Sequence, residues 1–163
     1  MGQVKTKILD ATEVLNKISR LAFEIYENNF QESEIALVGI EPKGSELAKL
    51  LKTELEKISP IEVHFSTIEL PSGKIEGLSP EKMSKMPIVV VDDVLNSGRT
   101  MFYSFKPFLA FELNKLQVAV LVDRAHKKYP ISADYVGYSL GTTLQEFVEV
   151  NLSSPEEYAV YLH

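Results

Sequence analysis

Two rhythms of apolar residues alternate along this chain: one repeats every ~3.6 residues, the other is unbroken or falls on every second residue. In "ILDATEVLNKISRLAFEIYENN", Asp10 and Glu13 stand as a candidate capping box, and Leu15, Ile18, Ala22 and Ile25 follow at helical spacing. An amphipathic helix is predicted there. Residues 34–40, "EIALVGI", are a continuous apolar run of strand length, and "GSELAKLLKTELEKI" then resumes the helical period through Leu47, Leu50, Leu51 and Leu55. "IEVHFSTIEL" alternates apolar and polar, as a strand exposed on one face does. "IVVV" and "LQVAVLV" read as fully buried strands, and "TMFYSFKPFLAFEL" between them reads as a helix disturbed at Pro107. "DYVGYSL" and "EFVEVNL" supply further short strands. Near-continuous apolar strands alternating with helices predict an α/β fold, a central mostly parallel sheet flanked by helices.

Between Leu70 and Pro87 both rhythms lapse. "PSGKIEGLSPEKMSKM" carries two glycines, Pro71 and Pro80 and scattered charge, so a flexible lid loop is predicted over 71–87. The aromatic residues Phe102, Tyr103, Phe105, Phe108 and Phe111 recur at helical spacing and are expected in the core.

A chain of 163 residues holds one core of ordinary size, so a single domain over 1–163 is expected. With 45% hydrophobic and 25% charged residues the composition is that of a soluble globular protein. The start, "MGQVKTKILD", lacks the apolar segment of a signal peptide and no stretch is long enough to span a bilayer, so a cytoplasmic protein is expected. Cysteine is absent, which removes disulfides, thiolate metal sites and a cysteine nucleophile. The net charge of -6 argues against broad adhesion to nucleic acid, while leaving room for a local basic patch.

The chemistry concentrates in "PIVVVDDVLNSGRT", where a buried strand delivers Asp92 and Asp93 to the edge at which open α/β sheets bind ligands. A helix cap needs one carboxylate, and two adjacent ones repel unless something neutralises them. The pair suits vicinal hydroxyls or Mg2+, and the following backbone N–H groups, the Ser97 and Thr100 hydroxyls and Gly98 suit a phosphate. One short segment thus reads a ribose diol together with its 5-phosphate. A second loop, "GIEPKGS", also follows a buried strand and opens a helix. It has the G-x-x-x-x-G of a nucleoside triphosphatase loop but Ser45 where the lysine belongs, which argues against that class. A phosphoreceiver domain is disfavoured because its paired acids follow the first strand, whereas these come past mid-chain.

"VVVDDVLNSGRT" resembles the phosphoribosyl pyrophosphate (PRPP) signature of type I phosphoribosyltransferases. With "ILD", "LVGIEPKGSELAKLL" and "LQVAVLVDRAHKKYPISADYVG" in that order, nearly the whole chain outside the lid is similar to the PyrR family, pyrimidine operon attenuators and uracil phosphoribosyltransferases. The resemblance implies a type I phosphoribosyltransferase fold with a short lid or hood. It implies that Asp92 and Asp93 hold the PRPP ribose hydroxyls as the catalytic pair, and that Val94, Leu95, Asn96, Ser97, Gly98, Arg99 and Thr100 form the PRPP loop. Mg2+ arrives mainly with PRPP, with Asp92 and Asp93 as further ligands. Glu41, Pro42, Lys43 and Gly44 correspond to the pyrophosphate loop, often built on a cis peptide, and a cis Glu41–Pro42 bond is expected.

For the base pocket the resemblance implies Val136, Gly137 and Tyr138, with Val136 against the flat face of the base. Lys74 in the lid is the nearest candidate for touching pyrophosphate. The reaction implied is pentosyl transfer in pyrimidine salvage, from PRPP to uracil, giving UMP and pyrophosphate. The sequence departs from the family at Glu41, where a basic or neutral residue is usual, at Lys43, where arginine is usual, and in its shorter lid. Such changes spare binding and harm turnover, so a catalytically weak PRPP- or nucleotide-sensing regulator is the alternative. Family members also bind messenger RNA; Lys17, Arg20, Arg124, His126, Lys127 and Lys128 are the candidate contacts here. A homodimer or larger homo-oligomer is expected, with part of the aromatic cluster at its contact.

Overall fold

A computed structural model describes residues 4–141 and 146–163; the first three residues, on which the targeting expectation partly rests, lie outside it. The chain runs β1 (Thr6–Leu9), α1 (Ala11–Asn29), β2 (Glu34–Ile40), α2 (Lys43–Ile58), β3 (Glu62–Glu69), β4 (Lys74–Glu76), α3 (Pro80–Met83), β5 (Pro87–Leu95) and α4 (Arg99–Ser104). A 3₁₀ turn (Lys106–Ala110), β6 (Lys115–Arg124), β7 (Tyr135–Leu140), β8 (Val148–Asn151) and β9 (Ala159–Leu162) complete it.

The main sheet has six strands in the order β4-β3-β2-β5-β6-β7. All neighbours pair in parallel except β4, which runs antiparallel to β3. This is the central, mostly parallel sheet of the α/β fold that the sequence predicts. Strand β5 alternates its side chains between two cores. Val89 and Val91 join Leu21, Ile25, Leu47 and Leu51 under α1 and α2, while Ile88 and Val90 join Met83, Met101 and Phe108 on the other face. Burial on both faces explains the unbroken apolar runs, each such side chain contributing about 1.5–3 kcal/mol.

Helix α1 starts where expected. The Asp10 carboxylate accepts from the Glu13 N–H at 2.8 Å and the Glu13 carboxylate accepts from the Asp10 N–H at 3.3 Å. Its buried stripe is Val14, Ile18, Leu21, Ala22 and Ile25, with Asn29 at its end. Leu15, expected in that stripe, is exposed, because Val14 takes the inward position.

Three expectations are corrected. Strand β5 does not stop before Asp92 and Asp93 but continues to Leu95, since β6 keeps pairing with it as far as Leu95↔Asp123. The segment 71–87 is not a plain loop: β4 pairs with β3, α3 follows, and Leu78, Met83 and Met86 are buried. Of the aromatic cluster only Phe108 is fully buried, while Phe102, Tyr103 and Phe111 are 41%, 48% and 38% exposed. The helix ends at Ser104, and the turn at Pro107 breaks the periodicity that would have carried the other rings inward.

A small sheet, β1-β9-β8, stands apart from the main one. "EFVEVNL" lies there as β8, antiparallel to β9. No helix among the described residues is long and apolar enough to cross a membrane.

Candidate active site

Strand order reverses between β2 and β5. The chain leaves β2 outward to β3 and comes back beside β2 with β5, so the carboxyl ends of these two strands form the crevice where such sheets hold ligands. The loop 41–44 and the segment 92–100 stand at those two ends.

Packing between them is close at Gly44. A Cβ there would lie 2.3 Å from the Val91 carbonyl oxygen and 3.3 Å from Asp92 Oδ1, so only glycine lets the first turn of α2 rest on β5 beside the acid pair. Glu41–Pro42 is cis, as expected. Pro42 gives α2 no side-chain cap, leaving the first-turn N–H groups of a sixteen-residue helix without one at the crevice. Uncapped N–H groups and the positive helix end suit an anion.

Asp92 and Asp93 are both partly buried, and the Asp93 N–H donates to Asp92 Oδ1 at 2.8 Å. Burial first, and then the neighbouring Asp93 charge, push the Asp92 carboxyl from its ordinary 3.8 up to about 8. Hydroxyl donors or a divalent cation relieve this crowding. The oxygen donors of the pair are the type Mg2+ takes, so the residues present fit that ion.

Beyond the pair, Asp92, Val94, Leu95, Asn96, Ser97, Gly98, Arg99 and Thr100 line one depression of about 40 Å³. Gly98 has φ +90°, and a Cβ on it would meet Ile131 Cγ2 at 2.2 Å, so both backbone and space require glycine. The Ser97 carbonyl accepts from the N–H groups of Lys128 and Tyr129 at 2.8 and 3.1 Å. Arg99 Nη1 donates to the Tyr129 hydroxyl at 2.9 Å, and its guanidinium lies 4.9 Å from the Tyr103 ring centre. Arg124 Nη1 donates to Asn96 Oδ1 at 3.3 Å. Arg124, Lys128 and Tyr129 thus brace the loop.

The remaining predicted residues fall in different surroundings. Glu41, Pro42 and Lys74 line a depression of about 410 Å³ with Thr67, Glu69 and Glu76, so the structure brings Lys74 to the loop at 41–44, on β4 and ion-paired with Glu76 at 3.2 Å. The Lys43 ammonium donates to the Val150 carbonyl at 2.9 Å, tying α2 to the small sheet. Val136 and Tyr138 are partly buried and Gly137 is buried, all on edge strand β7.

The candidate RNA residues do not form one open patch. Arg20 donates to Glu24 at 3.1 Å and to the Val136 and Gly137 carbonyls, and Lys127 is held by Asp123 and the Arg124 carbonyl. Lys17 sits 5.9 Å from the Tyr138 ring centre. His126 and Lys128 are exposed.

Sequence reasoning missed the polar network that fixes β7 to α1. The Tyr135 hydroxyl donates to Gln117 Oε1 at 2.7 Å and accepts from Asn28 and Asn29 at 3.3 Å. A tyrosine heading a short strand, with two asparagines closing a helix, was the available signal.

A family described as "Phosphoribosyl transferase domain" matches residues 5–151, and the chain belongs to it. Within that family the chain falls among the PyrR proteins. It is 30% identical to the "Bifunctional protein PyrR" of Oceanobacillus iheyensis, over 94% of this chain and 93% of that one. It is 33% identical to the protein of the same name from Roseiflexus sp., over 90% of this chain and 87% of that one. The "Pyrimidine operon regulatory protein" of Lactococcus lactis is 30% identical, over 91% of each. Among solved structures, a hypoxanthine-guanine phosphoribosyltransferase from Bacillus anthracis superposes with a TM-score of 0.75 at 18% identity, covering 98% of both chains. The hypoxanthine phosphoribosyltransferase of Trypanosoma cruzi gives 0.75 at 15%, covering 96% and 95%. At such identities the two share the fold.

Proposed function

We propose that this protein transfers the phosphoribosyl group of PRPP to a nucleobase, uracil foremost, yielding UMP and pyrophosphate. The observation that carries the reading is the junction at Gly44, where an uncapped helix start meets the Asp92–Asp93 pair. One molecule bearing a pyrophosphate, a ribose diol and a 5-phosphate fits a crevice that offers, in turn, the loop at 41–44, the acid pair and the loop at 96–100.

A ring nitrogen of uracil attacks the anomeric carbon as the bond from that carbon to the pyrophosphate oxygen breaks, and the N–H proton of that nitrogen leaves with the pyrophosphate. Positive charge develops on the ribose, so the chain's work is positioning and electrostatic stabilisation. Asp92 and Asp93 accept hydrogen bonds from the ribose hydroxyls. N–H groups at residues 97–100 and the Ser97 and Thr100 hydroxyls hold the 5-phosphate, and Val136 lies against the base. Mg2+, when bound, neutralises the pyrophosphate charge. Lys74 covers the leaving group from β4.

PRPP-dependent release of pyrophosphate with Mg2+ tests this, comparing uracil with hypoxanthine, guanine, adenine, xanthine and orotate. Product with uracil alone is expected. Silence with every base, in folded protein that still binds PRPP, favours a sensing regulator. The name of the Lactococcus lactis relative, a pyrimidine operon regulatory protein, supports regulation as a second reading, in which UMP is an effector and a pyrimidine-gene leader RNA the partner. Salt-dependent filter binding of that RNA is its test, and His126 and Lys128 are the exposed side chains to replace first.

A further inference from the structure

Arg20 lies at the middle of α1, outside both loops assigned to PRPP. Its guanidinium nevertheless reaches the strand assigned to the base. One Nη2 donates to the Gly137 carbonyl and lies 3.4 Å from the Val136 carbonyl, while Nη1 is fixed by Glu24 at 3.1 Å. One turn earlier, Lys17 Nζ stands 5.9 Å from the centre of the Tyr138 ring. The same helix face therefore engages residues 136, 137 and 138 in succession.

Strand β7 needs such support. It is the last strand of its sheet, so β6 pairs with it on one side only. Gly137 has no side chain to anchor it, and a Cβ there would meet the Leu121 carbonyl oxygen at 2.6 Å. The strand is thus held tightly from β6, and on the α1 side the charged donor of Arg20 adds a restraint at residues 136 and 137 to the one that Asn28 and Asn29 place on Tyr135. Hydrogen bonds from charged donors are about twice as strong as neutral ones. A guanidinium presents its donors in a fixed fork, which a lysine ammonium does not.

We propose that Arg20 is a positioning residue for base recognition, holding Val136 and Gly137 where the flat face and edge of the base are read. The inference rests on the base-site reading above. It assigns Arg20 to the base and not to PRPP, whose two loops lie at the ends of β2 and β5.

The experiment compares wild type, Arg20→Ala and Arg20→Lys in steady-state kinetics, varying uracil and PRPP separately, alongside equilibrium binding of UMP and of PRPP and a melting curve for each protein. Arg20→Ala is expected to raise KM for uracil about tenfold, leaving KM for PRPP within about twofold, with Arg20→Lys recovering part of the loss. Equal rises in both KM values, or a fall in melting temperature with unchanged KM for uracil, overturn the proposal. Should wild type turn over no base, the transferase reading fails by itself and UMP binding decides. Weaker UMP binding with PRPP binding retained in Arg20→Ala then supports the positioning role, and equal UMP affinity overturns it.

Discussion

Asp92 carries a cost in the free protein that the proposed ribose hydroxyls or Mg2+ would relieve. Its carboxyl is pushed up to about 8, so between about pH 4 and pH 8 the native chain keeps a proton that the unfolded chain has lost. Stability from this group therefore falls as pH rises through that window. Asp92→Asn is expected to melt higher than wild type, by a margin that widens from pH 5 to pH 8 and is level above, while PRPP binding is lost. Melting curves at pH 5, 7 and 9 check the sign; a margin independent of pH would mean that burial and Asp93 do not disfavour the charge.

Gly44 poses the complementary case, a residue defined by what it lacks. Gly44→Ala places a methyl group 2.3 Å from a backbone oxygen, so α2 must shift away from β5. Overpacking of this kind costs about 1–3 kcal/mol. The sequence shows a glycine in a loop at this position; only the approach of α2 to Val91 shows why no other residue serves.

At the scale of elements, the hairpin and short helix between β3 and β5 separate the pattern from the fold. "PSGKIEGLSPEKMSKM" has neither helical nor strand rhythm, yet β4 adds to the sheet edge and Leu78, Met83 and Met86 fill the core beneath α4. Single apolar residues spaced by turns leave no periodic signal, and their burial depends on what folds over them. Met83→Ala is expected to lower stability by about 2–5 kcal/mol in a denaturant titration, as a core position does, where a residue on a plain loop would lose almost nothing. Helix α4 makes the same point in reverse. Its aromatic periodicity was legible, but the helix ends at Ser104, and only Phe108, in the 3₁₀ turn beyond it, is fully buried.

Taken whole, the molecule places the two segments proposed to hold phosphates, about fifty residues apart in sequence, on one edge of one sheet. Ligand that binds only the native chain raises its melting temperature. At a hundredfold excess over Kd the gain is about 2.7 kcal/mol, or about 5–10 °C for a chain of this size. Mg2+ with PRPP should produce that shift in wild type, and in Gly44→Ala the shift should shrink or vanish even where the variant still folds. An equal shift in both would mean that PRPP does not use the junction of α2 and β5.

By itself the sequence determined the alternation of helices and buried strands, the acid pair with its glycine turn, the second loop at Glu41–Gly44 and the family. These signals are local: a run of valines, a cap, or a glycine with its neighbours is written in adjacent residues. Tertiary structure alone decided that Gly44 touches Asp92's strand, that Asp92 is crowded enough to hold its proton, that Lys43 reaches Val150 and that Arg20 holds the carbonyls of β7. The small sheet joining β1 to β9 belongs with them, since its strands come from opposite ends of the chain. Each is a contact between residues far apart in the chain, and its geometry and energy exist only once the intervening elements have packed.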